Sequence, residues 1–322
     1  MFRSLFQLSS WSLFVAMVGG LLLASCSAPS SGYRRFQPPE TSGELQGASY
    51  TQLRPALVAA TPVSANDFPT NLPPAQAASL IIIDANTGET IAQRNADHRR
   101  AVASTQKLLT AMVVCQSGHL NQRVVIQPED TLVEPTKLYV KAGEVYTRAQ
   151  LLNAILVKSA NDAAMALARD NAGSIANFSA RMNRMARTLG ARNSRFQNPH
   201  GLTESGQFST ARDMARIAFH ANRNNSISRI VNQPQYVFPG AQGPKILKNT
   251  NKLLPRMSAC TGMKTGYTKA AGRCLVTSAS LGGRQVILVQ LGSETKYIFD
   301  DAERLMRWGA RRRADLGSYA TY

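Results

Sequence analysis

The order of strand and helix patterns along residues 78–312 constrains the fold more than any other feature of the sequence. Short apolar runs at 80–84 and 90–92 are joined by turn residues and predict a β-hairpin. Three further strand patterns close the region, at residues 263–268, 274–279 and 285–291. Such an order predicts an α+β fold in which one antiparallel sheet of about five strands is assembled from both ends of the domain.

Helical patterns fill the middle of the region and follow its last strand. They are predicted from residue 104 onward and at 148–157, 162–172, 175–189, 210–222 and 296–311. Since a hairpin precedes these helices and three strands follow them, most of them are expected to form a helical subdomain inserted into the sheet, with the last helix packed against it.

The first 25 residues have the layout of an export signal. Arg3 precedes an apolar run at residues 13–23, which has the length of a signal-peptide core and is short for a membrane span. The run ends in Leu23-Ala24-Ser25-Cys26, which resembles a bacterial lipobox, so Cys26 is the predicted lipidation site and first mature residue. Cleavage after a small residue, which would release a soluble secreted protein, is the alternative.

Residues 26–77 are predicted to be a flexible tether between the lipid and a catalytic domain at residues 78–322. The tether is rich in Ser, Pro, Gln, Thr, Ala and Gly and has no sustained strand or helix period. Ser27 follows the lipidated cysteine, which in a Gram-negative cell favours sorting to the outer membrane. The domain is therefore expected to be lipid-anchored and to face the periplasm or wall.

The chain is strongly basic, with 37 Lys and Arg against 19 Asp and Glu and a net charge of +18. Such a charge favours polyanionic partners: nucleic acid, an anionic membrane face or an acidic wall polymer. No nucleic-acid-binding motif accompanies the basic residues, so no nucleic-acid partner is predicted. Adhesion to an anionic wall or envelope is the expected role of the charge.

The cysteines and histidines predict neither a disulfide framework nor a metal site. Once Cys26 is lipidated, Cys115, Cys260 and Cys274 remain, and three thiols cannot all pair within one chain. Cys115 and Cys274 lie in helical and strand patterns and are expected to be buried thiols. The four histidines lack metal-binding spacing.

Ser104 and Lys107 are the candidate nucleophile and base. A serine hydroxyl attacks well only when a neighbour accepts its proton, and residues three apart lie on the same side of a helix. Lysine can accept that proton if its pKa is lowered by burial or by a nearby positive charge, which Lys264 could provide. A capping serine followed by an exposed lysine would produce the same short pattern.

Ser159 and Asn161 form a second candidate group at a predicted loop-to-helix junction. The hydroxyl could relay a proton to a leaving amine, and the amide could orient the substrate and the lysine. Helix capping is the ordinary alternative. The tetrapeptide Ser159-Ala160-Asn161-Asp162 also occurs at residues 64–67, in the tether, where no core could support a site.

Lys264, Thr265 and Gly266 form a third group on a predicted edge strand. The lysine and threonine could hold a substrate carboxylate, and the glycine would let a substrate backbone lie against the strand. An ordinary polar strand with a glycine bulge is the alternative.

The combination resembles the low-molecular-mass penicillin-binding proteins, specifically the serine D-alanyl-D-alanine carboxypeptidases, over about residues 78–312. The resemblance extends beyond the three groups, to residues 138–144, 156–164, 198–202, 262–268 and 270–276. It implies a β-lactamase/transpeptidase-like fold and an enzyme that removes the terminal D-Ala from peptidoglycan stem peptides without a cofactor. β-Lactam antibiotics would be covalent inhibitors.

The resemblance also assigns roles by position. Ser104 would be acylated by the penultimate D-Ala carbonyl, with Lys107 as base, while Ser159 and Asn161 relay protons and orient the substrate. Lys264 and Thr265 would bind the terminal carboxylate, Gly266 would lie beside the substrate, and the N–H groups of Ser104 and Tyr267 would hold the oxyanion.

Two departures from the family pattern and three competing functions bear on these roles. Val102 stands where the family often has proline, and Ala259-Cys260-Thr261 replaces a more usual acidic approach to the third group. A D,D-endopeptidase acting on cross-links would use the same residues. A β-lactamase would need a deacylating glutamate, but no Glu-x-x-Leu-Asn motif lies between the second and third groups, and the second group reads Ser-Ala-Asn instead of Ser-Asp-Asn. A non-catalytic wall-binding or β-lactam-sensing lipoprotein would not need Ser104, Lys107 and Lys264.

Overall fold

A computed structural model describes residues 72–318, with side chains as far as Arg312. Cys26, residues 64–67 and most of the predicted tether lie outside the described residues. The helices are α1 to α7, at Lys107–Gln116, Arg148–Asn153, Asn161–Ala172, Ile175–Thr188, Ala211–Arg223, Asn225–Val231 and Ile298–Ser318. The strands are β1 to β9, at Ser79–Asp84, Thr90–Arg94, Arg123–Val125, Val145–Thr147, Gln235–Gly240, Gly243–Lys248, Cys260–Thr268, Gly272–Leu281 and Arg284–Ser293.

The central sheet confirms the predicted assembly from both ends of the domain. Its five strands run in the order β2-β1-β9-β8-β7, and every neighbouring pair is antiparallel. The hairpin β1–β2 contributes one side and the meander β7–β9 the other, so that β7 ends at an edge. The fold is thus α+β, as the sequence predicts.

Two hydrophobic cores cover the two faces of this sheet. On one face, α7 packs Ile298, Ala302 and Leu305 against strand residues such as Leu80 and Leu288. On the other face, a larger core joins the sheet to helices α1 to α6. Helix α1 lies in the middle of this larger core, with every residue from Lys107 to Cys115 buried, and this fixes the orientation of the residues at its N-terminal end.

Several elements were not predicted from the sequence. The hairpins β3–β4 and β5–β6 form separate two-stranded sheets, and α6 follows α5 directly. Strands β5 and β6 carry Pro239 and Pro244, which weaken a strand pattern because proline cannot donate a ladder hydrogen bond. The predicted helix 148–157 instead ends as α2 at Asn153 and continues as a π-helical turn over Ala154–Lys158.

The segment before β1 also differs from the expectation of a tether that reaches residue 77. Arg94 donates hydrogen bonds to the carbonyl oxygens of Ala75 and Ala77, and the N–H of Gln76 donates to Asp301 at 2.8 Å. Ala77 is buried. These contacts fix residues 75–77 to β2 and α7.

Candidate active site

Ser104 lies in a short 3-10 turn, Ala103–Gln106, that leads directly into α1. The preceding residue, Ala103, has a φ of 48°, a left-handed conformation that is unfavourable for a residue with a Cβ. The turn places the Ser104 hydroxyl beside the first residue of α1. That residue is Lys107, the predicted base.

The amino group of Lys107 lies within hydrogen-bond distance of three oxygen atoms of the site. Its Nζ lies 2.9 Å from Ser104 Oγ, 2.7 Å from Asn161 Oδ1 and 2.7 Å from the carbonyl oxygen of His200. Ser104 Oγ donates to the same carbonyl at 3.1 Å. The amine is therefore held in direct contact with the hydroxyl whose proton it would accept.

The environment of Lys107 favours the neutral amine. The side chain is completely buried, and burial lowers its pKa well below the ordinary value of 10.5. The positive charge of Lys264 lowers the pKa further, whereas the carboxylate of Asp162 opposes the change. A neutral amine can accept the proton of a hydroxyl, as a base requires.

The second group lies where the π-helical turn ends and α3 begins. Ser159 closes the turn with a φ of 69°, and its hydroxyl makes no hydrogen bond to any part of residues 72–318. Asn161 is fixed more tightly: its N–H donates to Thr136 at 2.8 Å and its side-chain Nδ2 donates to the carbonyl oxygen of Pro135. The Asn161 amide is thus oriented with its oxygen toward Lys107.

Asp162 supports this arrangement and was not predicted from the sequence. Its buried carboxylate accepts the N–H groups of Leu138, at 2.9 and 3.1 Å, and of Tyr139, at 3.0 Å. Burial raises the pKa of this carboxyl, while the backbone N–H groups oppose the shift. Asp162 therefore ties the loop beside Asn161 to the start of α3.

The third group lies on β7, the edge strand of the central sheet. Lys264 is fully buried, its Nζ donates to the carbonyl oxygen of Thr265 at 2.9 Å, and burial lowers its pKa to about 7. Thr265 Oγ1 donates to Thr250 Oγ1 at 2.7 Å. Tyr267 is 55% exposed, and the guanidinium of Arg273 lies 4.4 Å from its ring centroid.

Gly266 brings β7 against the turn that carries Ser104. A Cβ at this position would lie 2.8 Å from the backbone nitrogen of Ser104 and 3.0 Å from the Cβ of Ala103. Real Cβ atoms do not approach neighbours so closely, so only glycine permits this contact. The strand backbone and the Ser104 amide are consequently adjacent, as an oxyanion site shared by Ser104 and Tyr267 would require.

The loop 198–202 supplies the remaining acceptor of the site, the carbonyl oxygen of His200. Gln106 and Thr110 on the α1 side hold the loop by donating to the carbonyl oxygens of Asn198, at 2.6 Å, and Pro199, at 2.7 Å. Gly201 has a φ of +91°, and a Cβ there would lie 2.1 Å from the carbonyl oxygen of Ala103. The sequence marked this loop only by family resemblance and gave it no role.

The His200 side chain is not placed to act as a base. Burial and the charge of Lys107 lower its pKa to about 3, and its Nδ1 accepts the N–H of Leu202 at 3.1 Å. The ring is therefore neutral and engaged within the loop. Its contribution to the site is the backbone oxygen.

The structure brings five of the predicted residues together. Ser104, Lys107 and Asn161 are in direct contact, Gly266 touches the Ser104 turn, and the charge of Lys264 reaches Lys107. Among residues 72–318, no three potential ligands are grouped so that they could hold a metal ion, and no helix there is long and apolar enough to cross a membrane. Cys115, Cys260 and Cys274 are all free and buried.

Comparison with known proteins identifies the family. Residues 66–295 match the sequence profile described as D-alanyl-D-alanine carboxypeptidase. A D-alanyl-D-alanine carboxypeptidase of Mycobacterium tuberculosis is 36% identical over 246 residues, covering 74% of this chain and 84% of the relative. One from Escherichia coli is 34% identical over 253 residues, and the match spans only 62% of that longer protein.

Two further proteins add a structural comparison and a different activity. The crystal structure of a D-alanyl-D-alanine carboxypeptidase from M. tuberculosis matches with a TM-score of 0.71 and 35% identity, covering 76% of this chain and 94% of the other. A D-alanyl-D-alanine endopeptidase of Pseudomonas aeruginosa is 34% identical over 263 residues, covering 79% of this chain and 84% of the relative. By profile, sequence and fold, the chain belongs to the D-alanyl-D-alanine carboxypeptidase family of serine hydrolases.

Proposed function

We propose that the protein removes the terminal D-Ala from peptidoglycan stem peptides through an acyl-serine intermediate. The observation that carries this proposal is the contact between the buried Nζ of Lys107 and Ser104 Oγ, at 2.9 Å. A buried lysine beside a serine hydroxyl provides the nucleophile and its base in one turn of the chain. The third group, on β7, provides the position for the substrate.

In the acylation step, neutral Lys107 accepts the Ser104 proton while Ser104 Oγ attacks the carbonyl carbon of the penultimate D-Ala. The negative charge that develops on the carbonyl oxygen is stabilised by the N–H groups of Ser104 and Tyr267; one such donor is worth about 10²–10³ in rate. The C–N bond then breaks and the amine of the terminal D-Ala takes up a proton. Ser159, whose hydroxyl has no partner among residues 72–318, relays that proton to the leaving amine.

Lys264 and Thr265 bind the terminal carboxylate of the substrate. The carboxylate favours the protonated form of Lys264, whose pKa in the free protein is about 7. Hydrolysis of the ester by water returns Ser104 to its free state and releases the shortened peptide. β-Lactams acylate the same serine and act as covalent inhibitors.

A D,D-endopeptidase is the second candidate, and the similarity to the P. aeruginosa endopeptidase favours it over a β-lactamase or a non-catalytic binding protein. It would break the amide bond after the same D-Ala, but the leaving amine would belong to a cross-linked stem peptide. The two activities therefore share Ser104, Lys107 and the oxyanion site, and they differ in the size of the group that leaves.

We further propose that the protein acts at the cell envelope, attached to a membrane through lipid on Cys26. A lipid-modified terminal cysteine anchors a protein because each buried methylene contributes about 0.8 kcal/mol. Replacement of Cys26 by serine is expected to release the protein from membranes into the soluble fraction. Retention of the Cys26→Ser protein in the membrane fraction would rule out this anchor.

Intact-mass measurement after incubation with a penicillin tests the acyl-serine site. The wild-type protein should gain the mass of one penicillin, and Ser104→Ala should gain none. D-Ala release from a stem peptide, compared with cleavage of a cross-linked dimer, then separates carboxypeptidase from endopeptidase. Rapid turnover of penicillin with no adduct would instead indicate a β-lactamase, and neither adduct nor turnover would refute the proposed activity.

A further inference from the structure

An arginine-rich surface lies along α4 and the turn that follows it. It consists of Arg181, Arg184, Arg187, Arg192 and Arg195, all of which are exposed. From Asn171 to Thr203 the sequence contains no Asp or Glu. The catalytic proposal uses none of these five side chains, and we refer to them as the α4 arginine surface.

The arginines of this surface are not neutralised within the described structure. Arg181 donates to the backbone and side-chain oxygens of Asn171, and no ion pair formed among the described residues involves any of the five arginines. This contrasts with α7, where Arg304 and Arg307 pair with Asp301 and Glu303. Exposed guanidinium groups without carboxylates keep their full charge available for a partner.

Two carboxylates adjoining this surface are engaged elsewhere. Asp213 is buried and accepts the N–H of Asn193 at 2.6 Å, the Ser194 hydroxyl at 2.7 Å and Arg216 at 3.0 Å. Asp170 pairs with Arg148 at 2.6 Å. Neither carboxylate therefore pairs with the α4 arginine surface, although Asp213 lies beneath one end of it.

The dimensions of the surface suit an extended ligand. Arg181, Arg184 and Arg187 are spaced three residues apart, so each lies about 4.5 Å further along the helix axis than the one before. Arg192 and Arg195 extend the row past the end of α4. Arg195 is five residues from His200, whose backbone oxygen contacts Lys107, so the row ends on the segment that enters the active site.

We propose that the α4 arginine surface binds a linear polyanion that carries phosphate groups. The planar guanidinium group forms paired hydrogen bonds with phosphate, which favours phosphate over single carboxylates as the ligand chemistry. The exposed large apolar side chains of the described domain all lie outside residues 174–202, so the surface has none to insert into a bilayer. A polymer held here would keep the active-site loop close to the material on which the enzyme acts.

The test compares two triple variants of the full chain in binding to inorganic polyphosphate. Arg184→Gln, Arg187→Gln and Arg192→Gln together remove the middle of the surface. The control, Arg123→Gln, Arg229→Gln and Arg311→Gln, removes three exposed arginines from β3, α6 and α7. Both variants lose the same net charge, and none of the six residues belongs to the catalytic site.

The surface variant should bind polyphosphate roughly 100-fold more weakly than wild type at about 0.1 M salt. The reason is that each lost phosphate contact lowers the slope of log binding constant against log salt concentration by about 0.7. The control variant should retain nearly wild-type affinity, and both should keep wild-type acylation of Ser104 by penicillin. Equal losses in the two variants would overturn the proposal, because net charge alone would then explain binding.

Vesicles distinguish a polymer from a membrane as the partner. Binding to neutral phosphatidylcholine vesicles measures attachment through the N-terminal lipid. The additional binding gained when the vesicles contain phosphatidylglycerol measures electrostatic attraction. The surface variant could lose the additional binding to phosphatidylglycerol vesicles and still bind polyphosphate as the wild type does. In that case the surface is a membrane contact and the proposal is wrong. Since acylation is measured separately, loss of polymer binding is distinguishable from failure of the proposed activity.

Discussion

The two faces of the central sheet bury different kinds of side chain. Under α7, the buried side chains are mainly aliphatic, as in Leu80, Leu288 and Leu305. Beside α1, the larger core also encloses the side chains of Lys107 and Lys264, which are among the largest fully buried groups of the domain. The first face contributes stability through apolar burial, whereas the second gives up stability to hold two amines in a low-dielectric site.

The backbone shows the same contrast. Ala103 and Ser159, on the catalytic side, have positive φ although they are not glycine. Residues are held in such conformations only where the surrounding structure fixes them. Ala103 directly precedes Ser104, and Ser159 lies two residues before Asn161, which contacts Lys107. The comparison indicates that the catalytic side is built for positioning at the expense of folding free energy.

Replacing Lys107 by methionine should have the largest effect on activity. Because the amine is the proposed proton acceptor for Ser104, acylation by penicillin should slow about 10²–10⁴-fold. The rate is measured by intact mass at fixed times. Lys252→Met, which removes an exposed lysine, is the control, and an equal rate for Lys107→Met and wild type would refute the role of Lys107 as base.

Replacing Lys264 by methionine should stabilise the protein while weakening substrate binding. Because its folded pKa is about 7 and its ordinary value is 10.5, the unfolded chain binds a proton in this window that the folded protein does not. Wild-type stability therefore falls as the pH decreases from about 10.5 to 7, by up to about 5 kcal/mol from this group. Denaturant unfolding at pH 7 and pH 10.5 measures the effect.

The gain of Lys264→Met over wild type should be large at pH 7 and nearly absent at pH 10.5. A destabilised variant, or a gain that does not depend on pH, would mean that this lysine does not oppose folding. The comparison between the two faces would then fail at one of its main residues.

Replacing Leu305 by alanine tests the face that serves only stability. Loss of a fully buried leucine should lower the free energy of unfolding by about 3 kcal/mol. The acylation rate of the folded protein should stay at the wild-type level, because Leu305 contacts the sheet from the side of α7. Chemical unfolding and the penicillin reaction are measured on the same sample, and a slowed reaction would show that the two faces are coupled.

Two glycine substitutions give the smallest and sharpest contrast. Gly201→Ala places a Cβ 2.1 Å from the backbone oxygen of Ala103 and requires a strained φ, at about 1–3 kcal/mol for the backbone conformation alone. Gly309→Ala places its Cβ 2.9 Å from the γ2 methyl of Ile82, a buried β-branched side chain of β1, so the overlap costs packing on the α7 face and leaves the Ser104 turn untouched. Acylation should be slowed by the first and unchanged by the second.

Much of the fold was predictable because its strands and helices carry strong local patterns. The hairpin β1–β2, the meander β7–β9 and the helices α3, α4 and α5 were predicted close to their observed bounds, whereas α7 was predicted to end at residue 311 and runs to Ser318. The β5–β6 hairpin was missed because it stands apart from the main sheet and carries two prolines. Its exposed Val237 and Ile246 form a cross-strand pair that faces away from the core.

The site was predictable in its side chains and less so in its backbone. Ser104, Lys107, Asn161 and Lys264 were identified from short motifs, and the structure places them in one cluster. The carbonyl oxygen of His200 and the carboxylate of Asp162 were missed, because their roles depend on which backbone groups the fold brings near them. A backbone carbonyl can act as an acceptor whatever the residue type, so the sequence does not reveal it. Gly201 is the exception in this loop, because the close approach of the Ala103 backbone excludes a side chain there.

The pH dependence of Ser104 acylation tests the central claim most directly, namely that burial makes Lys107 a neutral base. Because burial lowers its pKa, the competent amine is present above the folded pKa and is lost as the pH falls through it. The acylation rate of the wild-type protein should therefore rise with pH at values well below 10.5, the ordinary pKa of lysine. A rise centred near pH 10.5 would contradict the account, because Lys107 would then titrate like an exposed lysine.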